Sequence, residues 1–166
     1  RADDKFWAAQ RLMALTTEHL RAAVRAGDFR DPAAEAFLVR ALADRRDAIG
    51  RAYLTGVNPI VDPALDSDGV LTFRNAAVEA DFAHAPNGYR ATWFRFDNAT
   101  GRSEIIGETS AHTSELDAPL RLLSAEGTIV LVKVSGVNGP APAWERPVDV
   151  FFRYRNGSWQ LVGFER

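Results

Sequence analysis

The sequence predicts an α+β protein, an N-terminal three-helix segment packed on an antiparallel β-sandwich of about seven strands. Three observations carry this. Residues 1–56 hold helical periodicities bounded by cap residues, residues 70–166 break into short strand-like runs between turn dipeptides, and residues 57–69, "VNPIVDPALDSDG", read as a linker because they combine two prolines with three aspartates. The helical segment and the sandwich are expected to form one integrated unit.

The first helix is expected over Lys5 to Leu15, where Phe6, Trp7, Leu12, Met13 and Leu15 form an amphipathic pattern and Asp3 or Asp4 precedes it as a cap. Thr16 or Thr17 would cap a second helix, Glu18 to Arg25, ended by Gly27. Asp31-Pro32 is a cap followed by proline in the first turn, and Gly56 terminates the third helix. That helix of about 23 residues would span roughly 34 Å. Leu38, Leu42, Ile49 and Tyr53 define its apolar stripe, interrupted by Arg45 within Asp44-Arg45-Arg46-Asp47. The charged tetrad reads as a solvated cluster with i, i+3 pairing; the sharper alternative makes Arg45 or Arg46 an anion contact.

Candidate strands are Val70–Phe73, Ala77–Phe82, Tyr89–Phe96, Glu104–Thr109, Thr128–Val134, Val148–Tyr154 and Trp159–Phe164. "YRATWFRF" alternates without a purely polar face. At the end of the chain, Asn156-Gly157 accepts the positive φ angles of a type I′ turn, which sets Arg155 opposite Ser158, Tyr154 opposite Trp159, Phe152 opposite Leu161 and Val150 opposite Gly163. The other face then pairs Arg153 with Gln160, Phe151 with Val162 and Asp149 with Phe164, so it begins polar and ends apolar. Phe151, Val162 and Phe164 are therefore expected to form an interface beneath the N-terminal helices, with Phe6, Trp7, Leu12, Leu38 and Leu42 as counterparts. Each large side chain buried there would contribute about 1.5–3 kcal/mol. Left open, the patch would be an interaction site.

A chain of 166 residues with 46% hydrophobic and 25% charged residues is ordinary globular composition and can bury a core without staples. The longest apolar run, Thr128 to Val134, contains Lys133 and falls far short of the about 20 residues of a helical membrane span. The absence of cysteine excludes disulfides, thiol catalysis and Cys-ligated metal sites. Net charge of −2 without a basic region argues against nucleic acid as a partner. The chain begins at Arg1 with a helical pattern almost at once, which suggests a processed product or a piece of something longer, with an upstream domain or a protein partner to bind. The compartment stays open, with a lean to the bacterial periplasm or cell exterior; the oligomeric state is not legible.

His19, His84 and His112 lack local companion ligands, and no H-E-x-x-H, G-x-S-x-G, G-x-G-x-x-G or P-loop is present, so no metal or cofactor is expected. Around His112, Glu108, Ser110, Ser114 and Asp117 compose a triad-like set that reads first as a polar edge strand or loop. Asp66-Ser67-Asp68-Gly69 lacks the spacing of a calcium loop and reads as a turn entering a strand. Asn98-Ala99-Thr100 and Asn156-Gly157-Ser158 match the glycosylation sequon but coincide with turns. The candidate binding residues are Trp93 and Trp144, which would line a groove for a sugar or peptide, with Asp97 and His112 beside turns.

The opening "DDKFWAAQRLMALTTEHLRAAVRAGDFRDPAAEAFLVRALADRRDAIGRAYL", the central "WFRFDNATG" and the closing "PVDVFFRYRNGSWQLVGFER" together resemble the C-terminal portion of large, functionally uncharacterised bacterial proteins with further domains upstream. This resemblance implies no activity and carries over no catalytic residue. A helical start followed by a curved sheet ending in an N-G-S-W hairpin is also similar to the NTF2-like fold, which implies a cone with an internal acid or base; no Asp and Tyr pair carries over, and seven strands depart from it. The expected function is a non-catalytic accessory or binding module of a larger bacterial protein. The alternatives are an NTF2-like small-molecule binder or enzyme and a carbohydrate-binding module.

Overall fold

The computed structural model describes residues 2–120, 122 and 124–166; the expectation attached to Arg1 lies outside them. Helix α1 covers Ala2–Met13, with Asp3 and Asp4 inside its first turn, where carboxylates complement the helix dipole, and not ahead of it as caps. Helix α2 covers Thr17–Arg25 behind a capping box: the Thr16 hydroxyl accepts from the His19 amide and His19 Nδ1 accepts from the Thr16 amide, each at 3.2 Å. Helix α3 runs over Pro32–Leu54, with Asp31 accepting from the Ala33 amide at 2.8 Å and the Thr55 hydroxyl donating back to the Arg51 carbonyl at 2.8 Å.

The packed stripe of α3 lies one position along from the expected one. Val39, Gly50 and Leu54 are buried, while Leu42, Ile49 and Tyr53 remain 38–40% exposed. Gly50 contributes to this, because it lets Met13 of α1 and Phe82 approach the helix closely. A Cβ on Gly50 would lie 2.3 Å from Phe82 Cε2 and 2.7 Å from Met13 Sδ.

The segment 57–69 is not a linker. It contains strand β1, Ile60–Leu65, whose Ile60 and Leu65 are buried. Pro63 is tolerated because β1 is an edge strand and its ladder breaks between Val61 and Ala64, with Asp62 at φ 51°. A tight turn follows, in which the Asp66 carboxylate accepts from the Val70 amide at 2.8 Å and Gly69 takes φ 86°. It leads into β2, Val70–Asn75. The expected strand at Ala77–Phe82 is instead the short helix α4, Ala76–Glu79, because the Asn75 side chain accepts from the amides of Ala77 and Val78 and starts a helical turn.

The remaining strands are β3 (Gly88–Asp97), β4 (Arg102–Ala111), β5 (Glu115–Asp117), β6 (Ile129–Val137), β7 (Val148–Arg155) and β8 (Ser158–Glu165), with a 3-10 turn at Pro142–Glu145 before β7. The protein is α+β, but the seven-stranded sandwich is corrected: two antiparallel sheets have the orders β1-β2-β5 and β4-β3-β6-β7-β8. Their inner faces share one core, in which Ile60, Leu71, Phe73 and Leu116 meet Trp93, Val132, Val150 and Phe152. The sheets also meet at their margins, β1 beside β8 and β5 beside β4. A second cluster joins Phe6, Ala9 and Leu54 of the helices to Val61, Ala76, Ala77 and Trp144, so the helices close one end of the β-structure.

In the last hairpin, Asn156 and Gly157 have φ 53° and 78°, and Arg155–Ser158, Tyr154–Trp159 and Phe152–Leu161 pair as expected. Beyond Leu161 the ladder slips, and Phe151 faces Gly163 while Val150 faces Phe164. Val162 is the extra residue of a bulge. The expected alignment beneath the helices is therefore corrected for Phe151 and Val162, whereas Phe164 does reach α1, lining a groove with Phe6 and Trp7 and sharing the Arg166 guanidinium with Phe6. Phe164 turns to the core side with Val150, Val162 is 55% exposed, and Phe151 stays on the outer face. Of the counterparts named from sequence, Phe6 is buried in the second cluster and Trp7 is 59% exposed.

Candidate functional site

The interior between the sheets is packed with apolar and aromatic side chains, Tyr89 and two tryptophans among them. Among the described residues, the buried polar or charged ones are Asn58 and Asn75. Asn75 donates to the Tyr89 hydroxyl at 3.0 Å, and the Tyr89 ring meets Phe73 edge-on at 4.8 Å between centroids. Burial raises the Tyr89 pKa above 10.0, partly opposed by the Asn75 bond. The folded chain then holds a proton that the unfolded chain releases above pH 10, so this stabilisation is complete below that pH and is lost as pH rises through the folded value. Urea denaturation between about pH 9 and about pH 11 should show a stability loss that is shallower in Tyr89→Phe; equal slopes would contradict it.

The residues nominated from sequence are dispersed. Trp93 is fully buried in the inter-sheet core, its Nε1 donating to the Thr109 hydroxyl at 2.8 Å. Trp144 is buried against the helices, its Nε1 donating to the Thr55 carbonyl at 3.3 Å. Neither offers a ring to a sugar, because apolar area of that size is worth more in a core than at a surface. Asp97 belongs to the β3–β4 turn, where the Thr100 hydroxyl at 2.7 Å and the Ala99 amide at 2.9 Å hold its carboxylate below the usual range. His112 Nδ1 bonds the Asn87 carbonyl at 2.7 Å. Glu108 and Ser110 lie on β4 and Asp117 on the other sheet, so the triad-like set is split. Among the described residues no group of three or more His, Asp or Glu side chains could hold a metal ion, and no helix is long and apolar enough to cross a membrane.

A groove of about 700 Å³ between α1, α3 and α4 is lined by Arg11, Arg46 and Arg74 together with Asp47, Asp62 and Glu79. Its charges neutralise one another: Arg74 reaches Glu79 at 2.9 Å and Asp62 at 3.2 Å, while Arg46 reaches Asp47 and the Leu15 carbonyl, both at 2.7 Å. Arg46 is thus committed inside the chain and is not presented to an anion.

The outer face of the five-stranded sheet carries a continuous apolar row. Opposed residues place Ile105, Phe94, Leu131, Phe151 and Gly163 in one row across all five strands, and Phe96 and Ile129 in the next row. Phe96 and Phe151 meet edge-on at 5.2 Å. Leu131 is buried among these neighbours, whereas Ile105 is 57% exposed. None of these apolar residues belongs to either buried cluster, so the chain's own helices do not cover them. The flanking row carries Lys133 and Asp149, paired at 2.5 Å, and Arg153 lies on the opposite flank. Phe151 is named from sequence as an interface residue, but beneath the helices; Phe94, Phe96, Ile105 and Leu131 are not named, although the two-sided apolarity of "YRATWFRF" is their trace.

No family model, curated protein or solved structure matches this chain.

Proposed function

We propose that the chain is a non-catalytic accessory or binding module, in the setting of a larger bacterial protein that the sequence resemblance implies, and that it docks through the outer face of the five-stranded sheet. The carrying observation is the apolar row Ile105–Phe94–Leu131–Phe151 outside both cores. A continuous apolar strip with a charged rim is the anatomy of an interaction surface. An NTF2-like binder or enzyme would need a cavity with a buried acid or base. The space between the sheets is packed with apolar and aromatic side chains, and among the described residues no carboxylate or histidine is buried. The carbohydrate reading loses the surface tryptophans it named.

The test is an NMR titration of the isotope-labelled chain with 1-anilinonaphthalene-8-sulfonate as an apolar probe. Shifts should concentrate on Phe94, Ile105, Leu131 and Phe151, and Ile105→Glu should weaken them severalfold. Shifts confined to the helices or to the grooves between them would defeat the proposal.

A further inference from the structure

Resting on that docking face, we infer that its occupant is a second copy of this chain, seated face to face about a two-fold axis that runs along the row Ile105–Phe94–Leu131–Phe151. Under that operation β7 is self-complementary, while Lys133, paired with Asp149 at 2.5 Å, comes opposite Ile129. Along β7, Asp149, Phe151 and Arg153 alternate onto the outer side, reading acid, aromatic, base. An axis through Phe151, perpendicular to the strands, carries each Asp149 onto Arg153 of the second copy, so the pair forms twice, as an isologous contact requires.

Arg153 is available for this. It is exposed and has no ion-pair partner among the described residues. Strands about 4.8 Å apart and side-chain rows about 6.8 Å apart make five strands by three rows a face of roughly 500 Å². Two copies would bury about 1,000 Å², the lower bound of a specific interface, which sets the expected affinity in the micromolar range or weaker. The formal net charge of −2 imposes little repulsion between copies. An edge-to-edge pairing through β8 or β4 would leave the apolar row open; the face-to-face seat covers it.

Sedimentation velocity across micromolar to millimolar concentrations should show a monomer–dimer equilibrium. Ile105→Glu and Arg153→Asp should each raise its dissociation constant at least tenfold, the second by placing like charges opposite each other. Both positions are exposed, so folding should be kept; thermal melting followed by circular dichroism checks it. Because the chain has no cysteine, Ile105→Cys treated with a short bis-maleimide should cross-link copies, whereas Leu42→Cys on α3 should not. A chain that stays monomeric, or a dimer indifferent to both substitutions and cross-linked equally at both cysteines, overturns the second copy as occupant. If the probe still maps to the sheet face in that case, the docking reading survives with a different protein as partner; if it maps elsewhere, both fall.

Discussion

Replacing Asn58 by Leu is expected to cost about 3–5 kcal/mol, the largest loss from any single polar substitution in this chain. Asn58 is 3% exposed, and its amide nitrogen lies 2.8 Å from the Arg146 carbonyl, 3.1 Å from Val134 and 3.4 Å from Trp144. Its side-chain oxygen accepts from the Ile60 amide at 3.2 Å. One residue thereby anchors the start of β1 to β6 and to the 3-10 turn, which have no ladder in common with it. An amide can satisfy these groups because it donates two hydrogens and accepts at the same time. Leu matches its size but leaves an amide and at least two carbonyls buried without partners, at about 1–3 kcal/mol each before relaxation. Asn58→Asp should be worse still at neutral pH, since a carboxylate would face three carbonyl oxygens. Urea denaturation measures the loss, with the slope unchanged if unfolding stays two-state. A cost below about 1 kcal/mol would mean that Asn58 does not anchor β1.

What the sequence made legible was local chemistry. Asp31-Pro32 and Thr16 start helices where caps were read, and Asn156-Gly157 fixes the register of the strands beside it. What it hid depends on neighbours distant in sequence. The bulge at Val162 leaves no local trace except Gly163, whose missing side chain matters only because Phe151 Cδ2 would lie 3.1 Å from a Cβ there. Strand β1 was masked by Pro59 and Pro63, which weaken strand propensity but are harmless at an edge. On α3 the large residues Leu42, Ile49 and Tyr53 mark the wrong face, because the helix packs through Val39, Gly50 and Leu54, with Gly50 admitting Met13 and Phe82.

The candidate face was legible in part, for the same reason. The two-sided apolarity of the last hairpin and of "YRATWFRF" is visible in the sequence. The cover was assigned to the helices because the uninterrupted hairpin register would have put Phe164 and Val162 beside Phe151. With the bulge in place, Phe164 goes inward and the outer patch recentres on Phe94, Leu131 and Phe151. A one-residue insertion in one strand therefore changes which residues make up the candidate site.

Arg166→Ala is expected to lose about 2–4 kcal/mol, because that guanidinium joins α1 to both sheets. Its Nε donates to the Asn58 carbonyl at 2.7 Å and its Nη2 to the Ile60 carbonyl at 2.5 Å. Its plane lies 4.0 Å from the Phe6 ring centroid and 5.0 Å from that of Phe164. Burial draws its pKa down to about 10, with Asp3 pulling the other way, so the group is fully charged at neutral pH. Two charge-assisted bonds to partly enclosed carbonyls outweigh either ring contact. Arg166→Lys should therefore recover less than half of the loss, since an ammonium keeps the charge but not the fork that reaches both carbonyls. A double-mutant cycle with Phe164→Ala separates the contributions: a coupling of about 0.5–2 kcal/mol assigns that share to the ring, and the remainder to the bonds that hold β1. If Arg166→Lys were as stable as the parent, the fork would have no role, and charge beside Phe6 and Phe164 would account for the whole contribution of this side chain.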